Sequence, residues 1–176
     1  QNIIIRNRHY LAAAGQRRIK ASGHHYLDYL HNADVKVAYG ASAGFTITLA
    51  SLAASSTLLA GREATAVDNG ASNKYLDDLI AGHFKTAASN GQIGQINVAV
   101  VAAEDDTPTW QDVFDGADSV ETVSLQSVYD QICKVGASII TTASNSLTWP
   151  FGMFAAAALF GGNMPDQYTA FVSHNA

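Results

Sequence analysis

The sequence is short of charge, of cysteine and of long apolar runs, and each shortage excludes something. Only 14% of its 176 residues are Asp, Glu, Lys or Arg, against about a quarter in ordinary globular chains. So lightly charged a chain suits a compact, smooth-surfaced β protein or an assembly subunit better than a typical soluble enzyme. Cys133 is the only cysteine. An internal disulfide is therefore excluded, and nothing points to an oxidising compartment. Within "YDQICKVGA" it reads as a small buried hydrophobe. No phosphate loop and no dinucleotide fingerprint occurs. The start, "QNIIIRNRHYLAAAGQRR", lacks the apolar core and cleavage site of a secretory signal. A first residue of Gln rather than Met marks a chain that is processed, trimmed or incompletely defined.

One of the least polar stretches is "SLTWPFGMFAAAALFGG", residues 146–162. From Trp149 to Gly162 it runs 14 residues, short of the roughly 20 apolar residues that a membrane-spanning helix needs. Trp149-Pro150 and Gly161-Gly162 bound it. The Ala-rich "FGMFAAAALF" between them predicts a short buried helix stopped by glycine. Trp149, Phe151, Phe154 and Phe160 are then core or subunit-interface side chains, and no membrane is expected.

What charge there is lies unevenly. Residues 1–36 carry six basic residues against two acids, a net of +4, whereas the remaining chain carries four against thirteen, a net of −9. Residues 1–34 read as a basic arm or extension, and residues 35–176 as the folded domain. A basic arm on an acidic body seeks an acidic partner, through Arg6, Arg8, Arg17, Arg18 and Lys20. The arm holds no RNP motif, zinc spacing or dense Lys/Arg run. A protein surface is thus the expected partner, rather than nucleic acid.

Period-two alternation dominates from residue 35. "VKVAY" (35–39) and "FTITLASL" (45–52) predict a hairpin around the small-residue turn "YGASAG". "TLLAGREATAVDNG" shows strand-like patches broken at Gly61. "YLDDLIAGHFKT" (75–86) leans to strand, and Val-rich "QINVAVVAA" (95–103) is the clearest strand of all. "SVETVSLQSVYDQICKVG" holds a strand and then a helical turn. "ASIITTAS" (137–144) and the alternating "QYTAFVSH" (167–174) complete the set. About seven or eight short strands, turn signals every 8–12 residues and one short helix predict an all-β fold. The architecture expected is an antiparallel, jelly-roll-like β-sandwich with an N-terminal extension.

Three patterns carry candidate chemistry. "GASAG" (40–44) matches the G-x-S-x-G nucleophile elbow at Ser42, but that motif needs a helix after the turn and "FTITL" predicts a strand. His24, His25 and His31 cluster without a Cys or Glu at ligand spacing. Glu104, Asp105, Asp106, Asp112, Asp115, Asp118 and Glu121 crowd one loop with a flavour of Ca²⁺ binding, yet depart from the EF-hand spacing. No catalytic residue, cofactor or metal ligand set is expected from these patterns.

"AVDNGASNKYLDDLIAGHFKT", "TWQDVFDGADSVETV" and "WPFGMFAAAALFGGNMPDQYTAFVSHN" resemble, in that order, segments of virion structural proteins of tailed bacteriophages. These are small β-sandwich subunits encoded with the head and tail genes. The resemblance covers about residues 45–175 and is strongest in "LFGGNMPDQYTAFVSHN". In that pattern the chain continues past "HN" into a further strand, and residues 1–34 match nothing in it. The resemblance implies a non-enzymatic capsid decoration (cement) subunit. It would be a homo-oligomer on the virion surface, bound to the major capsid protein of the same virus. A tail, neck or fibre component is the alternative, and a glycan- or calcium-binding module a further one.

Overall fold

The computed structural model describes residues 6–11, 45–69, 75–86, 93–105 and 107–176. The predicted strand 35–39, its turn, Ser42, His24, His25, His31, Arg17, Arg18 and Lys20 lie outside the described residues. The strands are β1 (Arg6–Leu11), β2 (Ala60–Glu63), β3 (Val67–Asp68), β4 (Tyr75–Lys85), β5 (Gly94–Ala102), β6 (Val120–Thr122), β7 (Lys134–Thr141), β8 (Thr148–Ala155) and β9 (Gln167–His174). Among the described residues two short helices join them, α1 (Gln126–Ile132) and α2 (Ala156–Leu159), where one was expected.

Every pairing is antiparallel. A smaller sheet runs β1-β4-β8, and a larger one β6-β2-β9-β5-β7, with β3 also on β9. The two sheets pack face to face as a sandwich. Ile80, Phe84 and Phe151 of the small sheet meet Val98, Val100, Tyr168, Ala170 and Val172 of the large one in a single buried cluster. Phe84 and Phe151 stack at 5.4 Å between ring centroids.

The other face of the large sheet is also covered. Ala99, Val101 and Phe171 point away from the small sheet into a second cluster with Phe114, Val123, Tyr129 and Cys133. The loop after β5 and helix α1 supply that cover. Successive side chains of a strand point to opposite faces, so the central strands β5 and β9 require apolar residues at nearly every position. This is why "QINVAVVAA" has no polar stripe. The strand expected over "QYTAFVSH" is found as β9 with the same bounds, and Tyr168 through Ser173 are all buried, on both of its faces.

Three expectations are corrected. Residues 45–52 form no ladder, although their side chains alternate as predicted, with Phe45 and Leu49 buried and Thr46 and Thr48 exposed. The backbone there is bonded elsewhere. Thr46 O accepts the Thr65 N–H at 2.8 Å, and a turn closes through Leu52 N–H to Leu49 O with Ser51 at φ 61°. The predicted helix over 151–160 is strand as far as Ala155, because β4 pairs with it through Gly82–Phe151, Ile80–Phe154 and Leu79–Ala155. Helix begins only where Asp77 Oδ1 accepts the Ala157 N–H at 2.9 Å. It stops as expected, with Gly161 and Gly162 at φ 69° and 90°. Strand β7 starts at Lys134, three residues before the predicted position.

Gly61 does not break its strand but lies within β2, opposite Ser173. A Cβ there would sit 2.4 Å from Val172 O and 2.6 Å from the Phe171 ring. The missing side chain lets β2 close on β9. Gly61→Ala should therefore destabilise the fold by about 1–3 kcal/mol through overpacking. Gly152→Ala, whose Cβ would meet nothing within 4 Å, should stay within about 0.5 kcal/mol of the parent. Urea denaturation of the two variants checks the contrast.

Candidate functional site

The chain's acids are concentrated in the loop between β5 and β6, and the fold sorts them into separate groups. Asp105 accepts the N–H and hydroxyl of Thr109 at 3.0 and 3.2 Å. Asp112 accepts the Ser124 N–H at 2.9 Å. Asp118 takes the Arg62 Nε–H at 2.6 Å, and the N–H and hydroxyl of Thr48 at 3.1 and 2.6 Å. Partial burial works against ionisation of Asp118, but the bonds from Arg62 and Thr48 outweigh it and hold the carboxyl below its usual range. Residues 45–52 are fastened to the sandwich at this point.

The remaining group contains a residue that the sequence did not single out. Glu63 ends β2 on the face toward the second cluster and is fully buried. Its Oε1 accepts the Gly116 N–H at 2.8 Å and its Oε2 the Asp115 N–H at 3.2 Å. Its own main-chain N–H donates to Ser119 O at 2.8 Å. Gly116 can turn here because its φ is +77°, and a Cβ would lie 3.0 Å from the Trp110 ring. Carboxylate oxygens of Glu63, Asp115 and Glu121 all lie within 4.8 Å of one another. Among the described residues this is the one grouping of three potential metal-binding side chains. Of the seven acids in the predicted loop, only Asp115 and Glu121 belong to it, and Asp106 is outside the described residues.

Burial raises the Glu63 carboxyl to about 7. The two backbone N–H bonds oppose the rise, while the charges of Asp115 and Glu121 add to it. A carboxyl that titrates near neutrality is suited to proton transfer. Here, however, each oxygen is already taken by an amide of the loop, and those bonds brace the turn 115–116 over β2. Ser119 Oγ–H on Glu121 at 2.7 Å and Ala117 N–H on Asp115 at 2.8 Å extend the brace. The one sequence signal for Glu63 is a lone acid at an inward position of an apolar strand.

The other predicted residues lie elsewhere. Arg6 and Arg8 are on β1, in register with Ala81 and Leu79 of β4. Phe151 is buried in the sandwich core, with Trp149, Phe154 and Phe160 packed against it. A Cβ on Gly136 would lie 2.2 Å from the Phe154 ring, so that ring closes β8 onto β7. Cys133 is buried beside Tyr129, and burial first, then the charge of Asp112, pushes its thiol up to about 12. It is an apolar filler rather than a nucleophile. No helix among the described residues is long and apolar enough to cross a membrane. No protein-family model, curated protein or solved structure matches the chain.

The Glu63 brace makes stability depend on pH with a definite sign. Between the ordinary value of 4.5 and about 7 the native state keeps a proton that the unfolded chain has released. Stability therefore falls as pH rises through that window, by about 2–3 kcal/mol from this group. Glu63→Gln cannot titrate and should lose this part of the slope. Urea denaturation at pH 5 and pH 8 compares the two proteins, and parallel slopes would refute the assignment.

Proposed function

We propose that this chain is a non-enzymatic virion structural protein, a capsid decoration subunit that binds the major capsid protein and further copies of itself. The observation that carries this reading is the apolar surface left on the outermost strand of the large sheet. Ile140 of β7 is 64% exposed, and Ile93, which precedes β5, is 72% exposed. Ile140 stands opposite Gln95 in the ladder. Ile93 lies just before Gly94, where β5 begins opposite Thr141 of β7, so both isoleucines are at the same end of this strand pair. Val135 adds to the same outward row, 40% exposed. Apolar side chains grouped at a sheet edge suit a protein contact better than solvent.

The charge pattern and the sequence resemblance support the same reading. A basic N-terminal segment on an acidic body can bridge neighbouring subunits, and many copies on a symmetric lattice multiply contacts that are individually weak. The Glu63 brace fits a rigid body too, since it spends a buried carboxylate on fixing a loop.

Quantitative mass spectrometry of purified particles of the encoding virus tests the reading. Abundance comparable to the shell protein is expected. A few copies per particle would transfer the chain to the tail or neck, and absence from particles would overturn the proposal. Ile140→Lys should leave the fold intact and weaken attachment to shells roughly tenfold or more, as measured by co-sedimentation.

A further inference from the structure

His174 closes β9, and its ring meets two main-chain oxygens at once. Nδ1 lies 2.8 Å from Ala176 O, and Nε2 lies 3.0 Å from Leu52 O. A neutral imidazole has one N–H and one lone pair, whereas an imidazolium has two N–H donors. Two acceptors, one at each ring nitrogen, therefore match the imidazolium. With a neutral ring, one oxygen faces a nitrogen lone pair and that contact becomes repulsive. The Ala176 oxygen is an acceptor whether it belongs to a peptide group or to a terminal carboxylate.

The same residue also holds Ser55 through its backbone. The Ser55 N–H donates to His174 O at 2.7 Å. Residues 52–55 are thus pinned twice to one residue, by ring and by main chain. They belong to the stretch that lays Phe45 and Leu49 over the sandwich core, with Phe45 edge-on to Tyr168 at 6.2 Å. We propose that His174 is a proton-operated latch: the imidazolium ties residues 52–55 and the main chain at Ala176 to the end of β9, and loss of the Nε2 proton releases residues 52–55. The inference goes beyond the particle reading and does not rest on it.

Among the described residues the surroundings isolate the effect. Residues 45–61 and 93–103, which supply the neighbouring segments, contain no titratable or charged side chain. The nearest such residues on the adjoining β2 are Arg62 and Glu63. Arg62 is engaged by Asp118, and Glu63 by the amides of residues 115 and 116.

The test follows the full chain by NMR at about pH 5.5 and pH 8. At the lower pH the ¹⁵N signals of His174 should show both ring nitrogens protonated. The exchange protection of the Ser55 amide, corrected for intrinsic rate, should be about tenfold lower at the higher pH, one hydrogen bond to a charged group being lost. His174→Gln should remove that step. Glu63→Gln should keep it, which separates the latch from the global pH dependence of the acidic cluster. A ring that is neutral at pH 5.5, a Ser55 protection that does not change with pH, or the same step in His174→Gln would each overturn the proposal. The ring signals in the unmutated chain decide the matter even if the variant fails to fold.

Discussion

The ladder that joins Ile96–Ala102 of β5 to Tyr168–His174 of β9 is covered on both faces, and that double cover shapes the rest of the molecule. Neither strand has a side exposed to water, so each needs apolar or fully bonded residues along its whole length. One face is filled by the small sheet, with Ile80, Phe84 and Phe151 pressed against Val98, Val100 and Val172. The other face has no sheet to meet it among the described residues. A loop and a helix of only seven residues do the covering there, through Phe114, Val123, Tyr129 and Cys133.

Such a loop has few ladder bonds of its own and must be fastened by other means. Glu63 and Asp118 do this from either side of the turn. A carboxylate reaches out from β2 to the amides of residues 115 and 116, and a carboxylate of the loop reaches back to Arg62 and Thr48. The two differ in electrostatic cost. Asp118 is paired with a cation and partly open to water, so its charge is cheap to keep. Glu63 has only dipoles and two like-charged neighbours, so its charge costs stability at neutral pH. The acids that resemble a binding loop in sequence are therefore mostly a fastening, and exposed apolar side chains lie across the sheet on β7.

The most deeply buried parts of this fold were the easiest to read in the sequence. Val-rich β5 and the last strand stand out because double burial removes polar residues from long runs. The all-β class and the glycine stop after α2 follow from equally local rules. The failures come from contacts that a sequence does not display. Residues 45–52 alternate because a core lies beneath them, which produces the same pattern as a strand without any ladder. The stretch 151–155 reads as helix from its Phe, Met and Ala content, yet pairing with β4 overrides that propensity. Gly61 reads as a breaker, and its actual use is close approach to Phe171 and Val172. Glu63 was not singled out, because its partners are backbone amides more than fifty residues away. The exposed row on β7 is legible only once the register with β5, across a bulge, places Ile140 and Val135 on one face.

Native-state hydrogen exchange across the whole chain tests most directly whether the doubly covered ladder holds the fold together. The amides of Val98–Val101 and Ala170–Val172 should exchange last, and only through global unfolding. Those of β6 and α1 and of the β4–β8 pair should open earlier, as separate smaller units. If the β5 and β9 amides exchanged as fast as those of β6, or if the small sheet outlasted them, the stability of this molecule would have to be sought elsewhere.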